Sequence, residues 1–265
     1  MRYFLTSFNF LEQLSLDWRA ELCGIRPGSS GVYSGGGSMA NMVALGAARQ
    51  AAFEAVGVDP AAEGVPSGEA RIYGSDAVHH TVHRSAGVLG LGRRAYAAIE
   101  TDSAGRMKPG ALERRLRTDR EGGILPIAIV ATAGSTGTGA IDPIDAIADI
   151  AAERGIWLHV DGAYGLPARC VPELADRFAG LERADSAITD PHKWLGTPVG
   201  CAATWVRDGD LLLRAFTQDL ASSHVVGGKL AIRACFVNAS TMLADVEGMA
   251  AAVVAIGDRL TSPAA

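Results

Sequence analysis

The 265-residue chain has a formal charge of -5, with 24 Lys and Arg against 29 Asp and Glu, and 48% of it is hydrophobic. An acidic balance without a basic cluster argues against nucleic acid as a partner, and no apolar run is long enough to cross a bilayer. Cys23, Cys170, Cys201 and Cys235 lie far apart without metal or redox-pair spacing, so a reduced, cytoplasmic setting is expected.

In chain order, residues 1–25 read as an amphipathic lead-in. Phe10, Leu14 and Trp18 recur at helical spacing, Leu11 and Leu22 broaden that face, and Gly24 can end the helix; the face is expected to pack. Arg2 followed by Tyr3, Phe4 and Leu5 faintly resembles a signal-peptide start, but Asn9, Glu12 and Gln13 interrupt it and no clear cleavage site follows. Gly35, Gly36, Gly37 and Ser38 then lead into a helical run from about 38 to 55. Free N–H groups and the dipole at a helix start make an anion site, and glycines let a phosphate come close. The pattern is neither a P-loop nor a complete dinucleotide fingerprint, and alone it reads more readily as a turn capping a helix than as a phosphate site. Residues 57–70 read as an exposed loop. Residues 71–83 read as a strand, a turn with Asp76 and a helix start that could put His79 and His83 on one face. A third metal ligand is missing, so no metal is expected; His79 is instead a flat ring able to stack on a planar cofactor. The charged stretch 93–122, with Pro109 at a helix start and Leu112 and Leu116 four apart, reads as a surface helix with a solvated charged face.

Residues 124–132 form a continuous apolar run, as expected for a strand buried on both faces of a parallel sheet. A loop of small residues, 133–139, follows at the end where open α/β sheets bind ligands. Asp142 and Pro143 then suit the N-cap and first position of a helix stopped by Gly155. The next strand, 156–161, ends in Asp161, making a strand–helix–strand crossover. A carboxylate there needs a cationic or hydrogen-bonding partner. A third strand, 186–189, is broken by Asp190 and Pro191, which present His192 and Lys193 at its mouth, with Trp194 and Leu195 as an apolar anchor. A lysine among neutral and apolar neighbours would favour the free, nucleophilic amine. Residues 201–206 read as a neighbouring strand, with an antiparallel direction open.

One sheet edge thus gathers a phosphate cradle (Gly37, Ser38), a flat ring (His79), a carboxylate (Asp161) and a lysine (Lys193). Pyridoxal 5'-phosphate requires this set: an amine for its aldehyde, a carboxylate to keep its ring nitrogen protonated, a stacking partner and an anion site.

The motifs Gly35-Gly-Gly-Ser-Met-Ala-Asn41, the 76–82 histidine segment, Ala131-Thr-Ala-Gly-Ser-Thr-Gly-Thr-Gly-Ala-Ile-Asp-Pro143, Trp157-Leu-His-Val-Asp-Gly-Ala-Tyr-Gly165 and Ala184-Asp-Ser-Ala-Ile-Thr-Asp-Pro-His-Lys-Trp194 occur in family order. Over about residues 10–210 the chain resembles the group II pyridoxal-phosphate decarboxylases, which act on aromatic amino acids, tyrosine, histidine or glutamate. The resemblance implies a three-layer α/β/α sandwich with a mostly parallel sheet, the aspartate aminotransferase fold type, usually as a homodimer. It implies Lys193 as the Schiff-base lysine and Asp161 as the ring-nitrogen partner. His79 would stack on the ring and help the chemistry, with Ala163 on the other face. Gly37, Ser38 and His192 would surround the phosphate, with Thr136 near the ring substituents. The implied domains are a lead-in (1–25), a cofactor-binding large domain (26–215) and a remnant of the C-terminal domain (225–265). The implied activity is decarboxylation of an L-amino acid, aromatic by preference, to its amine.

Two departures qualify that expectation. Asp190 stands where many members have asparagine, and an anion there would repel a phosphate, so Asp190 is left outside the expected site. The segments before the Gly-rich motif and after the lysine strand are also much shorter than the family's, as if by an internal deletion. No residue can be given the proton-return role of the family's mobile-loop tyrosine. A homologue that binds cofactor but turns nothing over is therefore the alternative, and a nucleotide-binding dehydrogenase is a remote one.

Overall fold

The computed structural model describes residues 6–216, together with 224–226, 229–231, 247, 248 and 251. The chain divides into two compact units, Met1–Thr217 and Gln218–Ala265.

The first unit runs α1 (Thr6–Cys23), β1 (Ser30–Ser34), α2 (Gly37–Glu54), β2 (Ala70–Ser75), α3 (Thr81–Val88), β3 (Tyr96–Ile99), α4 (Pro109–Glu121), β4 (Leu125–Thr132), α5 (Ile144–Arg154), β5 (Trp157–Asp161), α6 (Pro172–Ala175), β6 (Ser186–Thr189), α7 (Pro191–Trp194), β7 (Ala202–Val206) and α8 (Gly209–Phe216). Its seven strands form one sheet in the order β1-β7-β6-β5-β4-β2-β3. Strands β6, β5, β4, β2 and β3 run parallel, whereas β7 is antiparallel to both β6 and β1. In the second unit, β8 (His224–Val226) pairs antiparallel with β9 (Lys229–Ala231). By its sequence the stretch 243–260 is expected to be an apolar helix; it lies outside the described residues, apart from 247, 248 and 251. Among the described residues no helix is long and apolar enough to cross a membrane.

Helices cover both faces of the sheet, which makes the three layers. Residues of α1, α4 and α5 share one core with Ile129, Ala131, Leu158, Val160, Ala187 and Trp205. On the opposite face α2 lies over β4 to β7. Its buried Ala40, Ala44, Ala47 and Ala48 have side chains small enough for the helix to approach the strands. Strand periodicity then decides which groups meet α2. In β5, Leu158 and Val160 point to the α1/α5 core, so His159 and Asp161 point to α2. Ser186 is the register partner of His159 on β6 and shares that face.

Several sequence expectations are corrected. Phe10, Leu11, Trp18 and Leu22 are exposed; α1 buries Leu16 and Cys23 instead. Ser30–Ser34, for which no element was expected, forms an edge strand on β7. Helix α3 starts after His79, so His79 and His83 do not share a helical face; His83 instead packs on Tyr96, ring centroids 4.1 Å apart. The charged face of α4 is not wholly solvated, since buried Asp119 pairs with Arg71 and Arg115. Asp142 does not cap α5, which starts from Pro143. Its buried carboxylate accepts from the N–H groups of Met107 at 2.6 Å and Thr132 at 2.7 Å, tying the end of β4 to the segment before α4.

Candidate cofactor site

At the carboxyl ends of the parallel strands a cavity of about 350 Å³ collects all eight residues named from the sequence: Gly37, Ser38, His79, Thr136, Asp161, Ala163, His192 and Lys193. A larger cavity, about 790 Å³, opens at the opposite ends of the strands and is lined by neither Lys nor His. Its Arg183 and Arg207 already pair with Asp145, Asp149 and Asp185.

Three loops shape the site. The first joins β1 to α2 through Gly35 and Gly36, where a side chain would meet open space, and ends at Gly37. The second follows β4 and packs against the loop after β5. A Cβ on Gly165 would lie 2.5 Å from the Ala133 carbonyl oxygen, so glycine permits this approach, and Thr136 of the same loop lines the cavity. The third follows β6, where Pro191 opens the single turn of α7 carrying His192 and Lys193.

Asp190 belongs to the site, contrary to the expectation that its charge would keep it apart. Its side chain is only 3% exposed. Oδ2 accepts from the Gly37 N–H at 3.2 Å and lies 3.7 Å from Lys193 Nζ. Oδ1 lies 2.5 Å from His192 Nδ1, without hydrogen-bond alignment. A buried carboxylate is costly without such partners; here a helix start and the Lys193 side chain supply them, with the His192 ring alongside. Lys193 therefore does not sit among neutral and apolar neighbours: its side chain is 30% exposed and faces an acid. Trp194 is exposed and meets Tyr164 edge-on, ring centroids 5.8 Å apart, so it does not anchor the turn in the core.

Asp161, at the end of β5, is buried. It accepts from Asn41 Nδ2 at 3.1 Å and from the Ala163 N–H at 3.1 Å, and forms no ion pair with a Lys or Arg among the described residues. His79 lies in the turn before α3, its Nδ1 2.9 Å from Thr81 Oγ1. Burial, then the neighbouring His80, hold its imidazolium below the ordinary histidine range. Sequence reasoning missed Asn41, Thr81 and His159. Asn41 is one helical turn beyond Gly37, and His159 shares a strand face with Asp161, so periodicity could have found both.

The residues fit pyridoxal phosphate. A helix start beside His192 suits a phosphate, and a buried carboxylate without an ion-pair partner suits a protonated ring nitrogen. A primary amine lies in the same cavity. A mostly parallel sheet layered between helices, with a lysine just past a strand's carboxyl end, is the architecture of fold type I pyridoxal-phosphate enzymes.

The model of the pyridoxal-dependent decarboxylase conserved domain matches residues 7–224, and the chain belongs to that family. It is 34% identical over 206 residues to an aromatic-L-amino-acid decarboxylase of Bacillus atrophaeus, covering 78% of this chain and 41% of the relative. It is 35% identical over 213 residues to the acidic amino acid decarboxylase GADL1 of Bos taurus, covering 80% and 40%. Among solved structures, Catharanthus roseus tryptophan decarboxylase in complex with L-tryptophan superposes with a TM-score of 0.72 at 33% identity, covering 79% of this chain and 45% of that one. The chain spans about two fifths of the length of these curated relatives.

Proposed function

We propose that the chain carries the cofactor-binding part of a pyridoxal-phosphate-dependent amino-acid decarboxylase, with aromatic amino acids preferred. The observation that carries this reading is the convergence of Lys193, Asp161 and His79 with the start of α2 in one cavity, in a chain of the decarboxylase family. When bound, pyridoxal phosphate supplies an electron sink for the pair left behind as carbon dioxide departs. The protein's own groups do the rest. Lys193 Nζ offers the amine that anchors the group covalently. Asp161 would hold a proton at the ring nitrogen, and its two hydrogen-bond donors fix the carboxylate in place. His79 and Ala163 would pack against the ring, Gly37, Ser38 and His192 would hold the phosphate, and Thr136 would lie by the ring substituents. The B. atrophaeus and C. roseus relatives support an aromatic substrate. A cytoplasmic homodimer is the assembly that accompanies this reading, and exposed Phe10, Leu11 and Trp18 on α1 are compatible with it.

The experiment is visible absorption of the purified protein with added pyridoxal phosphate, native against Lys193→Ala, followed by an amine-release assay on aromatic amino acids. A band that requires Lys193, with amine release, is the expected result. A band without release would favour the homologue that binds cofactor and turns nothing over. No band from folded native protein would sink both.

A further inference from the structure

Every polar atom around Asn41 can be assigned one role. Asn41 is 1% exposed. Its amide nitrogen faces Asp161 Oδ2 and, at 3.2 Å, Thr81 Oγ1, while its oxygen faces His159 Nε2 at 2.9 Å. Turning the amide over would set its oxygen against the Asp161 carboxylate, two acceptors with no proton between them, so only this orientation makes all three bonds. His159 Nε2 must then carry a proton. The ring is fully buried, and burial, offset only in part by Asp161 and by a hydrogen bond to the Ser186 backbone, pushes His159 down to about 4. At neutral pH the ring is uncharged and its Nδ1 is an acceptor. Ser186 Oγ donates to it at 2.9 Å, and Trp157 Nε1 donates to Ser186 Oγ at 2.8 Å. On the other side, the Thr81 backbone N–H points to His79 Nδ1 at 3.4 Å, which makes that nitrogen an acceptor, so Thr81 Oγ1, which accepts from Asn41, gives its own proton to the same atom at 2.9 Å. His79 is thereby also an Nε2–H tautomer.

We propose that Asn41 is a positioning residue, the junction of one directional hydrogen-bond chain running Trp157, Ser186, His159, Asn41, which orients the Asp161 carboxylate and, through Thr81, fixes the tautomer of His79. The role deepens the cofactor reading and rests on it. Two groups on opposite sides of the site, one from β5 and one from the turn before α3, are set by a single side chain of α2. Without Asn41 the carboxylate keeps only the Ala163 N–H and can rotate, and His159 loses its acceptor.

A double-mutant cycle on cofactor affinity tests this, read by equilibrium dialysis against pyridoxal phosphate on variants whose fold is checked by circular dichroism. Asn41→Leu is expected to weaken binding roughly tenfold in the native background, but only about threefold or less in Asp161→Asn, because the larger part of its effect passes through that carboxylate and only the branch through Thr81 to His79 remains. His159→Leu should reproduce the loss. His159→Gln, whose amide can still donate to Asn41, should recover most of the affinity. If Asn41→Leu does not fold, the two His159 variants carry the same comparison. Equal losses with and without the Asp161 carboxylate would mean general packing and would overturn the proposal. Nitrogen NMR of the cofactor-free protein provides an independent reading. Nε2–H tautomers of His79 and His159 are expected, and an Nδ1–H tautomer at either would overturn the chain. If Asp161→Asn binds pyridoxal phosphate as tightly as native protein, the cofactor reading itself fails and the role of Asn41 fails with it. That outcome is recognisably different from a loss of coupling.

Discussion

Replacing His159 by glutamine should change how the protein responds to acid. His159 is buried and neutral in the fold, titrating near 4 against 6.5 for a free histidine, with burial as the main cause. Between those two values the unfolded chain binds the extra proton and the folded chain does not. Stability linked to His159 is therefore fully present above pH 6.5 and is lost as the pH falls toward 4. The gap from 6.5 to about 4 corresponds to about 3 kcal/mol. The assay is urea unfolding followed by circular dichroism at several pH values from 7.5 to 4, on native protein and His159→Gln. The difference between the two is the quantity to read. Burial pushes Asp142 up to about 6, so it contributes a slope of opposite sign over an overlapping window in both proteins, which cancels in the difference. The stability advantage of the native protein over the variant should shrink by about 3 kcal/mol between pH 7 and pH 4. Parallel stability curves would refute the assignment of a neutral, chain-linked His159.

Two further outcomes follow from the geometry. Asp190→Asn should raise affinity for pyridoxal phosphate more than for unphosphorylated pyridoxal, because both ligands share the change beside Lys193 and only one carries the phosphate. At about 5 Å and an effective dielectric near 20, a carboxylate repels each unit of phosphate charge by about 3 kcal/mol before His192 and Lys193 offset it, so a gain of roughly three- to tenfold is expected; dialysis of both ligands reads it, and equal changes for the two would refute it. Asp142→Asn would set an amide group against one of the two backbone N–H groups now bound to the carboxylate. It should cost about 1–3 kcal/mol in urea unfolding at pH 7, and an unchanged midpoint would contradict that.

The buried strands and the groups at their ends were legible because periodicity and strand endings are local. Val130, Val160 and Ile188 announce their strands, and Asp161 and Lys193 stand where the apolar runs stop. Asp190 was misjudged because charge was counted without its neighbours: the Gly37 amide, 153 residues away in the chain, reaches it only through the fold. The lead-in helix was misread for a related reason. Phe10 and Trp18 form a convincing apolar face, yet burial fell to Leu16 and Cys23, because β1 and the turn after Gly165 decide which side of α1 meets the body. Asp142 looked like a helix cap because aspartate before proline is a local signal, but two backbone amides from elsewhere claimed its carboxylate. Strand β1 went unread because its five residues merge into the glycines, and only pairing with β7 makes them a strand.

The cavity is assembled from contacts between distant parts of the chain. Gly37 reaches Asp190 across 153 residues, and Asn41 reaches His159 and Asp161 across 118 and 120. Strand β1 finds its place only once β7 is available. On a ribosome, the segment that begins the cavity is made early and must wait for most of the large unit before it can close. Closing such long loops is slow, so the cavity should be among the last parts of the molecule to mature. A ligand that binds only the finished cavity would then distinguish completed chains from nearly folded ones and draw the latter forward by mass action.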